Sequence, residues 1–126
     1  MILVTGSILA REDTFDDVLR SCLEHVERSR KEPGCISHDV HVDCQNPMRL
    51  FFFEQWADEA ALRTHFAVEG SKAFVRSLKG RIVETSGTRI YRAKGRNGSG
   101  SPCWRLFTEI GGMVMLAAVQ AQLTYW

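Results

Sequence analysis

Residues 1–92 predict an α+β fold in the order β-α-β-β-α-β, and three observations carry the prediction. Apolar runs of strand length recur at Met1–Leu9, Cys35–Asp43, Arg49–Trp56 and Arg81–Tyr91. Apolar residues at helical spacing fill the intervals after the first and third runs. Turn signals, Pro33-Gly34 and Asn46-Pro47, separate the middle elements.

The first run is rich in β-branched residues and reads as a strand. Asp13 or Thr14 is the expected N-cap of a helix reaching Lys31. Phe15, Val18, Leu19, Cys22 and Val26 form its apolar stripe, with His25 at the border. Asp16 and Asp17 in the first turn and Arg28, Arg30 and Lys31 in the last suit the helix dipole. The next strand alternates: Ile36, His38, Val40 and Val42 share one face, and Ser37, Asp39, His41 and Asp43 the other. His38, among aliphatic neighbours, reads as a buried and hydrogen-bonded side chain, whereas Asp39 and His41 share a face and could pair at the pocket or the dimer surface.

On the third strand Leu50, Phe52 and Trp56 point one way and Phe51 and Phe53 the other, so both faces need cover. The chain's own helices can cover one face of so small a sheet. A second copy is expected to cover the other, which predicts a homodimer. Asp58 caps the following helix, whose inner face is Ala61, Leu62, His65 and Phe66. Glu69-Gly70-Ser71 is expected to interrupt it, with a short helix over residues 71–78. Arg81–Tyr91 is expected to be one last strand with Gly87 as a bulge. The whole is the ferredoxin-like arrangement. Residues 93–102 read as a flexible linker, and residues 103–126 as a partly helical C-terminal extension with no assigned function. Its apolar centre, Ile110–Val119, is too short for a membrane span.

Composition narrows the functional classes. A hydrophobic fraction of 44% argues against disorder, and a net charge of +1 provides no field to draw nucleic acid or an anionic membrane. Cys22, Cys35, Cys44 and Cys103 show no C-x-x-C spacing, and no secretory leader is indicated. Free thiols in a reducing cytoplasm are expected. Neither a dinucleotide fingerprint nor a metal-ligand cluster is evident, so the reading includes no cofactor and no metal.

The stretch EPGCISHDVHVDCQNPMRLFFFEQWADEAALRTHFAVEGSKAF, residues 32–74, resembles the signature of the antibiotic biosynthesis monooxygenase family. The matching elements are Pro33-Gly34-Cys35, Asn46-Pro47, Glu54 and Trp56, Asp58-Glu59, His65 and Phe74. The resemblance implies a dimeric α/β barrel whose sheets form a shared core, with a pocket between each sheet and its own helices. It implies three kinds of chemistry: cofactor-free oxidation of quinols and phenols, haem degradation, and isomerisation of small carbonyl compounds. The haem branch lacks support, because Gly6 and Ser7, His65 and Val75 stand where its Asn, Trp and axial His would be. Only Arg49 and Arg63 are near enough to serve a phosphorylated isomerase substrate.

The reading is therefore a cofactor-independent monooxygenase acting with dioxygen on a quinol-like or phenolic aromatic, the alternative being an isomerase or a binding module of the same fold. His65, on the inner face of its helix, is the expected proton acceptor. Trp56 and Glu54 join it as catalytic candidates, Glu54 as a group that could orient His65 or make a structural ion pair. His25, His41, Phe52 and Phe66 are the expected substrate-pocket residues.

Overall fold

The structure is a computed structural model and describes residues 1–95. The expected helical extension and all but the first three residues of the expected linker lie outside the described residues. The elements are β1 (Ile2–Ala10), a 3-10 turn (Glu12–Thr14), α1 (Phe15–Ser29), β2 (Cys35–Val42) and β3 (Arg49–Trp56). They continue with α2 (Glu59–Ala67), α3 (Glu69–Ser77), β4 (Ile82–Thr85) and β5 (Arg89–Arg92). The sheet runs β2-β3-β1-β4 with β5 also on β1, antiparallel at every pairing. This is the expected ferredoxin-like α+β order.

Register sorts the side chains by face. Opposite Ile2, Val4, Gly6 and Ile8 of β1 stand Trp56, Glu54, Phe52 and Leu50 of β3. His38, Val40 and Val42 of β2 extend these rows opposite Glu54, Phe52 and Leu50. This face packs under the helices. One buried cluster joins Ile8, Ala10, Leu50 and Phe52 to Val18, Cys22 and Val26 of α1 and to Leu78. A second joins Ile2, Val4 and Trp56 to Leu62 of α2. The opposite face bears Leu3, Leu9, Phe51 and Phe53, with Phe51 still 40% exposed.

Three local expectations are corrected, and a fourth, the N-cap at Thr14, holds in position alone. Ile36 is the extra residue of a bulge between Cys35 and Ser37 and is 55% exposed, so Cys35 takes its place beside Trp56 on the inner face. Thr14 occupies the cap of α1, but its hydroxyl donates to Arg81 O at 2.8 Å and not to the helix, while Asp13 pairs with Arg11. The helix break falls at Val68, in extended conformation, so Glu69, Gly70 and Ser71 lie inside α3. The last strand is two strands, because Ser86 between them bonds Ser7 through both its backbone and its hydroxyl.

Two glycines bear on the site. Gly34 has φ +83, and a Cβ there would lie 2.5 Å from Ala61 Cβ of α2, so the turn leaving α1 touches the second helix closely. A Cβ on Gly70 would lie 2.6 Å from Arg28 Nε, so the glycine in α3 makes room for a guanidinium crossing from α1.

Candidate active site

The gap between the two apolar clusters is filled by aromatic and titratable side chains. His38 stands beside Glu54 on the inner face of the sheet. His25 comes from α1, His65 from α2 and Phe74 from α3. The ring centroids of His25 and His38 are 5.1 Å apart, those of His25 and His65 5.3 Å, and those of His38 and His65 5.5 Å. Phe74 stacks flat on His25 at 4.1 Å, and Trp56 packs on His65 at 4.7 Å. A cavity of about 380 Å³ opens over this floor, lined by His25, Phe52, Glu54, His65, Phe66 and Phe74 among others. Its size and apolar walls suit a small aromatic molecule.

An ion pair one helical turn long organises the floor. Arg28 binds the Oε1 oxygen of Glu32, and the same guanidinium donates to His25 Nδ1 at 2.9 Å and to Ser71 Oγ at 3.0 Å. The other Glu32 oxygen accepts from His65 Nδ1 at 2.8 Å, with Ser71 Oγ 3.4 Å from that nitrogen. Glu32 is thus the residue that orients His65. The sequence offered Glu54 for that task, beside a structural ion pair, and gave Glu32 no role. His25 and Arg28 share one side of α1, but Glu32 stands in the turn beyond it, so helical spacing alone gave no signal for the contact.

Glu54 has a different task. Its Oε2 accepts from the Trp56 indole at 2.8 Å, and its Oε1 lies 3.6 Å from His38 Nε2. Burial pushes the Glu54 carboxyl up from its ordinary value, against the opposing pull of the indole hydrogen bond. Burial, and then the neighbouring histidines, lower His25 to about 3 and His38 to about 4. Both rings are therefore neutral at physiological pH.

The expected site residues divide cleanly. His25, Phe52, Glu54, His65 and Phe66 line the cavity. Trp56, expected to be catalytic, does not: it is fully buried behind the floor and acts by holding Glu54 and packing on His65. His41, expected in the pocket, is exposed on the far face of β2, and Asp39, its expected partner, pairs with Arg30 at 2.5 Å. His38 is buried as expected, yet neither of its ring nitrogens has a hydrogen-bond partner among the described residues.

The fold also assembles a cluster that the sequence did not reveal. His25, His38 and His65 each offer a nitrogen within 4.8 Å of the others. They come from three elements distant in the chain, so no ligand spacing betrays them. A metal ion needs a lone pair from each ligand. Arg28 can only donate, so it takes the Nδ1 lone pair of His25 and leaves the proton on Nε2. The trio fits a transition ion only if Arg28 releases His25.

The element order, the sheet and the cavity between sheet and helices define a ferredoxin-like α+β domain with an internal cavity. Residues 1–77 match the family model described as antibiotic biosynthesis monooxygenase, and the chain belongs to that family. It is 31% identical over 91 residues to an uncharacterised protein of Synechocystis, an alignment covering 72% of this chain and 62% of that relative. A crystal structure of an antibiotic biosynthesis monooxygenase aligns with TM-score 0.69 at 29% identity, covering 75% of this chain and all of the other. A conserved protein from Methanosarcina mazei aligns with TM-score 0.68 at 29% identity, covering 74% of this chain and 92% of its own.

Proposed function

We propose that this protein is a monooxygenase that oxidises a quinol-like or phenolic aromatic with dioxygen and takes its electrons from the substrate, without a bound cofactor. The observation that carries the reading is His65. Its Nδ1–H is held by Glu32 and its ring lines an apolar cavity, which leaves Nε2 as the nitrogen free to act as base on a substrate there. Family membership supports the reaction class.

The reaction balances on the substrate alone. His65 takes the hydroxyl proton, and the resulting phenolate is electron-rich enough to reduce dioxygen. One oxygen atom forms a new bond to a ring carbon. The O–O bond then breaks, and the second oxygen leaves as water with the proton held by His65 and the hydrogen displaced from the ring. A quinol plus dioxygen thus becomes a hydroxyquinone plus water. The walls, Phe52, Phe66 and Phe74, keep bulk water from the intermediate.

Two copies are proposed to act together, because the uncovered face of the sheet presents Leu3, Phe51, Phe53 and Tyr91. A cytoplasmic setting is supported by the free thiols of Cys22, Cys35 and Cys44. Among the described residues no helix is long and apolar enough to cross a membrane.

Oxygen uptake with a panel of hydroquinones and polycyclic phenols tests the reading. Uptake by the parent should fall by about 100-fold or more in His65→Ala, the usual worth of a general base. A chelator should leave it unchanged. Uptake that depends on added iron or copper would instead pass the reaction to the histidine trio. No uptake above autoxidation would overturn the oxygenase reading.

A further inference from the structure

We infer that the cavity floor is built to hold two neighbouring oxygens of one aromatic ring, so that its ligand is an ortho-dihydroxy, catechol-type aromatic, with His25 as the second recognition residue. The inference deepens the proposed function and rests on the same cavity.

The argument is about tautomers. A neutral imidazole has one N–H and one lone pair, and whatever engages one nitrogen decides the other. A guanidinium has no acceptor, so Arg28 can meet His25 Nδ1 only as a donor. The proton of His25 therefore sits on Nε2. Glu32 is a carboxylate and can only accept, so the His65 Nδ1 that meets it carries a proton. In the neutral ring the lone pair of His65 is therefore on Nε2. One ion pair thus sets two histidines in opposite tautomers.

Both rings line the cavity. Among the described residues neither Nε2 has a protein partner, and neither is counted with the sealed unpartnered nitrogens, which belong to His38 alone. The floor thus presents one donor and one acceptor on rings 5.3 Å apart. Burial keeps His25 neutral, so its N–H is a donor without a charge.

A catechol edge complements that pair. One hydroxyl donates to His65 Nε2 and is the proton the base removes. The adjacent oxygen accepts from His25 Nε2–H while its own hydrogen points back to the first oxygen. A para-hydroquinone has its oxygens at opposite ends of the ring and can meet only one of the two groups. Satisfying both nitrogens, where a mismatched ligand leaves one unpaired, is worth about tenfold in affinity.

Two measurements on the full chain test this without any turnover. Two-bond proton–nitrogen correlation spectra of the histidine rings should show His25 protonated at Nε2 and His65 at Nδ1 near neutral pH. Calorimetric titration under argon should show 2,3-dihydroxynaphthalene binding about tenfold more tightly than its 2,6-isomer, which has the same apolar surface. Arg28→Met should reduce the difference to about twofold by freeing the His25 tautomer. The same tautomer on both rings of the parent protein would overturn the inference. So would equal binding of the two isomers, or binding of neither. Because oxygen is absent, a protein that prefers the 2,3-isomer but never consumes oxygen would retain this inference and lose the oxygenase reading.

Discussion

At the residue scale, His38 carries an energetic anomaly. It is fully buried, and both ring nitrogens lack partners among the described residues. Buried unpaired polar atoms destabilise a fold, whereas an apolar side chain of similar volume at the same place does not. His38→Leu should therefore be at least as stable as the parent near neutral pH. The pH dependence follows from the depressed values, about 4 for His38 and about 3 for His25 against 6.5 for a free ring. Below 6.5 the unfolded chain takes up protons that the folded rings refuse. Stability is therefore complete above the unfolded value and is lost as pH falls toward the folded ones, by about 1.4 kcal/mol per pH unit per histidine. His38→Leu should remove one histidine's share of that slope. Urea denaturation at about pH 7 and about pH 5 measures both effects. A variant much weaker at neutral pH would mean that His38 has partners that stabilise it.

At the element scale, the turn from α1 to β2 fastens the site. Gly34 O accepts from Ala57 N at 2.8 Å, and its Cα sits against Ala61 of α2. Glu32, two residues earlier, reaches from this turn to His65 on the same helix. Gly34→Ala would force a side chain into positive φ and against Ala61 Cβ, a destabilisation of about 1–3 kcal/mol. It should also slacken the Glu32–His65 contact. Thermal unfolding should show the loss of stability, and oxygen uptake should fall further than the folded fraction accounts for. Uptake that follows the folded fraction alone would confine the turn to a structural role.

Elements of this kind were legible in the sequence wherever the pattern was periodic. The α1 stripe of Phe15, Val18, Leu19, Cys22 and Val26 and the two-faced β3 strand are read directly from spacing. The Ile36 bulge was not legible, because alternation assumes a residue-by-residue ladder and a bulge shifts it without a composition signal. For the site, His65 and His25 were found because each lies on or beside an apolar helical face. Glu32 and the three-histidine meeting were missed, because both are products of tertiary contact between α1, β2 and α2.

At the scale of the whole molecule, the question is what covers the second face of the sheet. Leu3 and Phe53 are only half-buried in one chain, while Phe51 and Tyr91 are 40% and 49% exposed. These side chains lie across adjacent strands, β3, β1 and β5, interleaved with Thr5, Ser7 and Gln55, so the face is half apolar and exposes aromatic surface. At about 25 cal/mol per Å², covering such a surface is a strong drive to associate, and a charge buried at its centre would oppose it. Phe51 faces away from the helices and touches neither core cluster, so Phe51→Lys should leave the subunit fold intact. The expected outcome is a dimeric parent and a monomeric variant by sedimentation velocity, with circular dichroism unchanged. A parent that sediments as a monomer would leave this face to some other cover and remove the homodimer from the proposed function. The cavity and its histidine floor lie on the opposite, helix-covered side of the same sheet. If the monomeric variant keeps its catechol-type binding preference while losing oxygen uptake, the dimer serves to hold the sheet rigid for chemistry rather than to build the site.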